Sequence, residues 1–433
     1  MIALLDANNF YCSSEIALQP RLRNIPLVVL SNNDGCAISR SEEAKALGIK
    51  MGQPYHEFRY MEESAGLVAL SANFTLYGDL SDRVMSLAAG LGPSSEIYSI
   101  DECFIDLNGV RGDLTARARS IRARVLQWVG IPTCIGIAAT KTQAKFANMV
   151  AKSAERKPGS YPARFAQVCN LGALDSSEVD ALLAATDVGE VWGVGPRISA
   201  DLRAHGVYTA LDLSRIDPAT ARRRWSLMME RTVRELRGQP CIELEHAPPP
   251  KREIAVTRSF GRPVQELEPL LQAVGEFSGR AAEKLRRQGS AAGRVLVFAR
   301  TSPFRPGPRW YQSIVVPLRR PTSDTGRITE AAILGARAIY APGYKLAKAG
   351  VMLLDLCDSA SVLQHELALE DDAGRDRGAL MTAMDRINAR WGKSTIHQGV
   401  TGTATTKRDW AMRQERRTPH YTTDLRQIPI ARA

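Results

Sequence analysis

Residues 96–107 read EIYSIDECFIDL, and two adjacent acids, Asp101 and Glu102, interrupt that apolar run. Successive side chains of a strand point to opposite faces, so neighbouring carboxylates fit badly in a strand with one buried face. An unpaired charge in apolar surroundings is expensive. Two arrangements relieve the conflict. Either two strands meet here and the acids are solvated at a hairpin tip, or the acids lie at a strand end where carboxylates converge on a cation. The chain opens with MIALLD, a short apolar strand closing on Asp6. If that strand neighbours the 96–107 pair in one sheet, three carboxylates share an edge. Hard oxygen donors of this kind suit Mg2+, which binds through a few carboxylates plus substrate phosphates. Two such ions clamp the attacking and leaving oxygens of an in-line phosphoryl transfer.

At 433 residues the chain is long enough for about two to four domains. Its apolar start is too short for a signal peptide and lacks a basic n-region. No stretch approaches the roughly 20 apolar residues of a membrane span. A cytoplasmic protein without membrane contact is expected. The seven cysteines form no CxxC pair and the six histidines no HExxH. Isolated thiols in a reducing compartment fit that pattern, with neither a zinc site nor a disulfide frame. Charge is uneven along the chain. Residues 1–250 hold 27 basic against 28 acidic side chains, and 251–433 hold 30 against 18. A near-neutral body joined to a basic module suggests chemistry in one part and a grip on a polyanion, nucleic acid, in the other.

Hydrophobic patterning divides the chain further. The strand ending at Asp6 leads into a helix through about Leu18. PLVVLSNNDGCAIS reads as two strands joined by a turn, and SEEAKALG as a short helix capped by Ser41 and ended at Gly48. TARARSIRARVLQWV reads as a basic helix, TCIGIAA as a strand, and TKTQAKFANMVAKSAE as a helix. Mixed elements over 1–165 imply an α/β or α+β body. The stretch 166–240 reads as entirely helical. HAPPPK, 246–251, is a proline-rich linker. Beyond it lies a compact α+β module, then a polar stretch with a helix near GALMTAMDRINARW and a basic tail.

Together, DANNFYCSSE and YSIDECFIDL resemble the metal-binding motifs of Y-family (translesion) DNA polymerases. PLVVLSNNDGCAISRSEEAKALGIKMGQP, ERTVRELRGQPCIELE, TRSFG, RAAEKLR, KAGVML and HYTTDL extend the likeness to the UmuC-type catalytic subunit of DNA polymerase V, over nearly the whole chain. The resemblance implies an α+β multidomain, right-hand polymerase fold. Its parts would be a palm (1–19 and 76–165), fingers (20–75), a helix–hairpin–helix thumb (166–240), a linker (241–252), a little finger (253–357) and a partly flexible C-terminal extension (358–433). Asp6, Asp101 and Glu102 match the family's catalytic metal ligands for two Mg2+ ions, with the Ala7 carbonyl as a further ligand. Tyr11 matches the steric gate, an aromatic ring under the incoming sugar that leaves no room for a 2′-hydroxyl. Ser39, Lys45 and Lys152 match contacts to the dNTP triphosphate. The chain departs from the common pattern at Glu42, where many members carry tyrosine, and at Lys45, where many carry arginine. Lysine offers a point charge instead of a bidentate fork.

Lys141 and Lys145, an i, i+4 pair, are expected on a solvated helix face. VWGVGPRISADL has the Gly-Val-Gly turn of a helix–hairpin–helix, with Gly193 and Gly195 letting a DNA backbone approach closely. Arg258, Arg262, Arg300, Arg305, Arg309, Arg319 and Arg320 are candidate phosphate contacts of the basic module. The resemblance further implies a degenerate sliding-clamp motif at Gln364–Leu369, and Cys36 and Ile38 match the family's positions roofing the nascent base pair.

The resemblance implies error-prone translesion synthesis in SOS mutagenesis and DNA repair, in a bacterial, nucleoid-associated protein. Its implied partners are template–primer DNA, a processed UmuD-type dimer, the RecA recombinase and the sliding clamp. Two other classes compete: a catalytically weak DNA-bound scaffold of a damage-tolerance complex, and another two-metal enzyme such as a nuclease or nucleotide cyclase. The complete acid set opposes the scaffold. The basic module opposes a cyclase, and the triphosphate contacts oppose a nuclease.

Overall fold

Residues 1–362, 377–392, 395–402, 408 and 410–428 are described by a computed structural model, in which the chain forms two compact units. The first comprises 1–31, 35–248 and the segment from 416 onward; the second comprises 32–34 and 249–415.

The first unit is built on strand β1 (Ile2–Ala7), whose residues are apolar apart from Asp6. It is flanked by β6 (Glu102–Asp106) and β7 (Thr133–Ala138), both antiparallel to it. With β5 (Ser94–Ile97) and β8 (Val168–Asn170) they form a five-stranded sheet in the order β5-β6-β1-β7-β8. A smaller sheet, β3-β2-β4, contains β2 (Leu27–Leu30), β3 (Ala37–Arg40) and β4 (Val68–Ser71). Five helices pack against these sheets: α1 (Phe10–Leu18), α2 (Glu42–Ala46), α3 (Phe74–Ala89), α4 (Leu114–Val129) and α5 (Lys141–Arg156). Ser41 caps α2 by accepting from the Ala44 N–H, as its position in the sequence suggests.

Strand β8 corrects the expectation that 166–240 is all helix. It pairs parallel with β7, with Val168 and Cys169 buried. Three residues are too few to display a period-2 pattern, so only the tertiary pairing reveals the strand. The rest of that stretch is helical, including α6 (Pro196–Ala204).

In the second unit, β9 (Ile254–Val264), β10 (Ser290–Thr301), β11 (Tyr311–Thr322) and β12 (Leu346–Asp358) form an antiparallel sheet in the order β11-β10-β12-β9. Helices α7 (Leu267–Arg287) and α8 (Thr325–Ile339) bury one face of it through Phe277, Ala281, Ile328 and Ala332. Helix α9 (Gly378–Trp391) is tied to α7 by a bidentate pair from Arg286 to Asp385, 2.7 Å on each arm. The proposed clamp motif Gln364–Leu369 lies outside the described residues. No helix among the described residues is long and apolar enough to cross a membrane.

Helix α5 lies so close to the central sheet that one position must be glycine. A Cβ on Gly136 of β7 would fall 2.2 Å from the Asn148 backbone nitrogen and 2.3 Å from the Ala144 carbonyl oxygen. Asn148 uses that proximity, donating to the Cys134 and Leu4 carbonyls at 2.8 and 3.3 Å. Gly136→Ala would push α5 off the sheet. The expected cost is about 1–3 kcal/mol of overpacking, read from urea unfolding; an unchanged midpoint would refute the tight contact.

Candidate active site

The antiparallel register sets Asp6 directly opposite Glu102, which places their Cβ atoms about 4.5–5.5 Å apart on one face. Asp101 precedes β6 in the hairpin tip, where the Tyr98 and Ser99 N–H groups donate to the Glu102 carbonyl. Its own carbonyl accepts from the Ala7 N–H at 2.8 Å, and its carboxylate accepts from the Ser99 hydroxyl at 2.6 Å. Of the two arrangements open from sequence, the hairpin tip is present, and its register sets Glu102 opposite Asp6 with Asp101 next in the chain. Asp6 is 8% exposed. Burial, countered by Lys152 and reinforced by Glu102 and Asp101, pushes its carboxyl up to about 6.

Helix α5 supplies the neutralising charge. Lys141, Lys145, Lys152 and Arg156 recur at helical spacing and share one face. Lys152 Nζ meets Asp6 at 2.5 Å, Lys145 Nζ meets Glu102 at 2.9 and 3.0 Å, and Lys141 Nζ meets Glu96 at 2.5 Å. Arg156 reaches Glu42 at 3.3 Å. Lys141 and Lys145 thus correct the solvated-face expectation. Lys141 is buried, and the Lys145 ammonium lies 4.5 Å from the Tyr98 ring centroid and 5.1 Å from that of Trp192. An i, i+4 lysine pair looks the same in sequence whether it faces water or acids, because its partners lie 43 and 45 residues away.

A cavity of about 380 Å3 opens beside the acids, lined by Asp6, Ala7, Tyr11, Ile38, Lys45, Asp101 and Lys152 among others. It gathers most of the residues singled out by sequence and adds Asn9, Arg40 and Arg156, which sequence reasoning missed. Arg156 was detectable as the next residue of the α5 stripe. Ser39 lines the same cavity, but its hydroxyl is committed to the start of α1, donating to the Asn9 carbonyl and accepting from the Cys12 N–H. Glu42 stands among the cations. It accepts from Asn9 at 2.8 Å and Lys45 at 2.9 Å, and Lys45 also donates to Asn9 at 2.7 Å. Burial works to raise the Glu42 carboxyl, but the hydrogen bonds from Asn9 and Lys45 prevail and hold it below its usual range.

Residues 5–149 match the impB/mucB/samB family, 251–367 match that family's C-terminal domain, and 378–431 match a domain of unknown function. Protein UmuC of Salmonella typhimurium is 44% identical over 430 residues, covering 98% of each chain. Protein ImpB of the same organism is 41% identical over the full length of both. The chain belongs to the impB/mucB/samB family. Its fold is that of Y-family DNA polymerases: a chimera of Dbh and Dpo4 superposes with a TM-score of 0.65 at 18% identity, covering 82% of this chain and 99% of that one.

Outside the cavity, the other chosen residues fall into two groups. Gly193 has φ +90°, which favours glycine, whereas a Cβ on Gly195 at the start of α6 would meet nothing within 4 Å. Internal packing therefore does not demand glycine at 195. In the second unit, Arg300, opposite Tyr311 and Lys348, and Arg319 project from the sheet face opposite α7 and α8. Arg258 is a correction: it turns to the helix side, 3.6 Å from Glu276, with its guanidinium 6.0 Å from the Phe277 ring centroid. A register parity that sequence did not reveal decides this, since Arg258 pairs with the buried Ala349.

Among the described residues no three His, Cys, Asp or Glu side chains stand as a ready-made metal cluster. The donors at the acid edge are nevertheless of the type Mg2+ takes, carboxylate oxygens beside backbone carbonyls. The Lys145 and Lys152 ammonium groups bring positive charge to the same edge. Since folding raises the Asp6 pKa above its unfolded value, its contribution to stability is full below about pH 4 and lost as pH rises through about 6. That loss amounts to at most about 3 kcal/mol. Urea unfolding of the metal-free protein at about pH 4 and about pH 8 should show it in the wild type and not in Asp6→Asn. Equal pH dependence in the two proteins would contradict the assignment.

Proposed function

We propose that this chain is an error-prone translesion DNA polymerase of SOS mutagenesis, adding deoxynucleotides to a primer 3′ end with Asp6, Asp101 and Glu102 as its catalytic acids. The observation that carries the reading is the register that sets Asp6 opposite Glu102, with Asp6 and Asp101 lining a cavity rimmed with cations, within a chain of the impB/mucB/samB family. Asp6, Asp101, Glu102 and the Ala7 carbonyl would hold two Mg2+ ions. Bound there, the ions supply charge stabilisation to the attacking and leaving oxygens. Lys45, Lys152, Arg40 and Arg156 bind the triphosphate by charge-assisted contacts. Tyr11 lies under the sugar and excludes the 2′-hydroxyl. Ser39 orients the start of α1 beneath them.

The remaining assignments accord with the same reading. The five-stranded sheet with α3–α5 is the palm, β2–β4 with α2 the fingers, the helices through 240 the thumb, and the second unit's sheet the little finger. Gly193 and Gly195, with Arg300 and Arg319, contact the template–primer backbone without reading sequence. The protein works in the bacterial cytoplasm, at the nucleoid, with a processed UmuD-type dimer, RecA and the sliding clamp. Primer extension with these partners present is the direct test. Asp101→Asn should abolish extension while DNA binding persists; a fully active variant would remove Asp101 from the chemistry.

Glu42 occupies a place suited to a phosphate. Lys45 and Arg156 must exchange its carboxylate for the triphosphate when a nucleotide binds. Exposed ion pairs contribute about 0.2–1 kcal/mol each, so loss of both in Glu42→Gln should lower KM for dNTP by roughly twofold to thirtyfold. Single-nucleotide insertion kinetics measure this, and a raised KM would mean that Glu42 organises the cations instead of competing for them.

A further inference from the structure

Residues 416–421 fall in the stretch matching a domain of unknown function, yet they pack within the first unit. We propose that this segment is a strap that positions the Tyr11 ring and thereby sets the polymerase's discrimination against ribonucleotides. The proposal rests on the reading of Tyr11 as the residue under the sugar.

The connection runs through one buried carboxylate. Glu15 lies one turn after Tyr11 on α1 and is 0% exposed. Its Oε1 accepts from the Tyr77 hydroxyl at 2.7 Å and from the Thr418 hydroxyl at 3.1 Å, and its Oε2 accepts from Gln19 at 3.4 Å. Every one of these donors is neutral. A buried carboxylate held only by such groups depends on each of them, because deleting one leaves charge unsatisfied. Tyr77 in turn sets the Tyr11 ring. The two stack at 4.7 Å with planes 19° apart, and Phe74 closes on Tyr11 edge-on at 5.9 Å.

The strap also grips the helix carrying these rings. Asn73, the N-cap of α3, donates to the Thr418 and Pro419 carbonyls, each at 3.1 Å, while its Oδ1 accepts from the Leu76 N–H. The strap's own register is pinned to β4: Ser71 N–H donates to the Arg416 carbonyl at 3.1 Å, and Arg416 N–H donates to the Ser71 hydroxyl at 2.9 Å. Thr418 therefore touches both groups that place Tyr77, the carboxylate holding its hydroxyl and the cap of its helix. Thr418 and Glu15 are positioning residues, acting on the sugar through Tyr77 and Tyr11.

The test compares single-nucleotide insertion of dNTP and rNTP by the full chain, in the complex in which the wild type extends primers. Thr418→Val, Thr418→Ser and Tyr11→Ala are measured side by side, with melting curves to confirm folding. Misplacing a binding group by about 1 Å can cost ~100-fold. Thr418→Val should lose at least about tenfold of the dNTP-to-rNTP ratio of kcat/KM, through a lower KM for rNTP, and Thr418→Ser should restore it. If Tyr11→Ala relaxes sugar selection while Thr418→Val keeps the wild-type ratio, the strap proposal fails and the Tyr11 reading stands. If Tyr11→Ala itself keeps the wild-type ratio, that reading fails and the strap proposal with it.

Discussion

Four carboxylates from three separate stretches, Asp6, Glu42, and the hairpin acids Glu96 and Glu102, are each met by a cation from a single face of α5. The rest of the first unit is arranged around this neutralisation. Without it, the edge where β1 and β6 meet would concentrate negative charge in a poorly solvated place. Removing one partner of a buried pair is far more costly than lacking both. The close seat of α5 on Gly136 brings the lysines within reach, so a backbone contact and an electrostatic requirement are met by the same helix.

Neutralisation by lysine is incomplete, and that incompleteness is chemically useful. Lys152 lies on Asp6, yet burial still holds the carboxyl near 6. Such a group gains more from a divalent cation than a fully paired one would. Glu42 behaves in the opposite way: hydrogen bonds hold its carboxyl below the usual range, and it keeps Lys45 and Arg156 company in the adjoining cavity that all three line. Around Tyr11, aromatic stacking onto Tyr77 and a buried carboxylate that accepts from the Tyr77 hydroxyl fix the ring's position.

Much of this is legible in the sequence because local chemistry and tertiary role agree. The apolar β1 ending at Asp6 and the acid pair at 101–102 point to a shared edge, and the register bears out that they meet. Sequence misleads where meaning depends on distant partners. Lys141 and Lys145 look solvated because nothing nearby in the chain announces Glu96 or Glu102. Arg258 groups with surface arginines because strand parity is invisible until Ala349 is seen opposite it. Thr418 carries no signal at all, since its carboxylate partner lies 403 residues away.

The sequence by itself determined the longer strands, the Ser41 cap and the family, and singled out the acids at positions 6, 101 and 102. These depend on apolar periodicity and on motif residues that lie close together in the chain. Only the tertiary structure decided which cation answers which carboxylate, which face of a strand an arginine occupies, and that the last described residues return to the first helix. Those outcomes turn on register and packing between distant segments, where a shift of one residue reverses the face a side chain occupies.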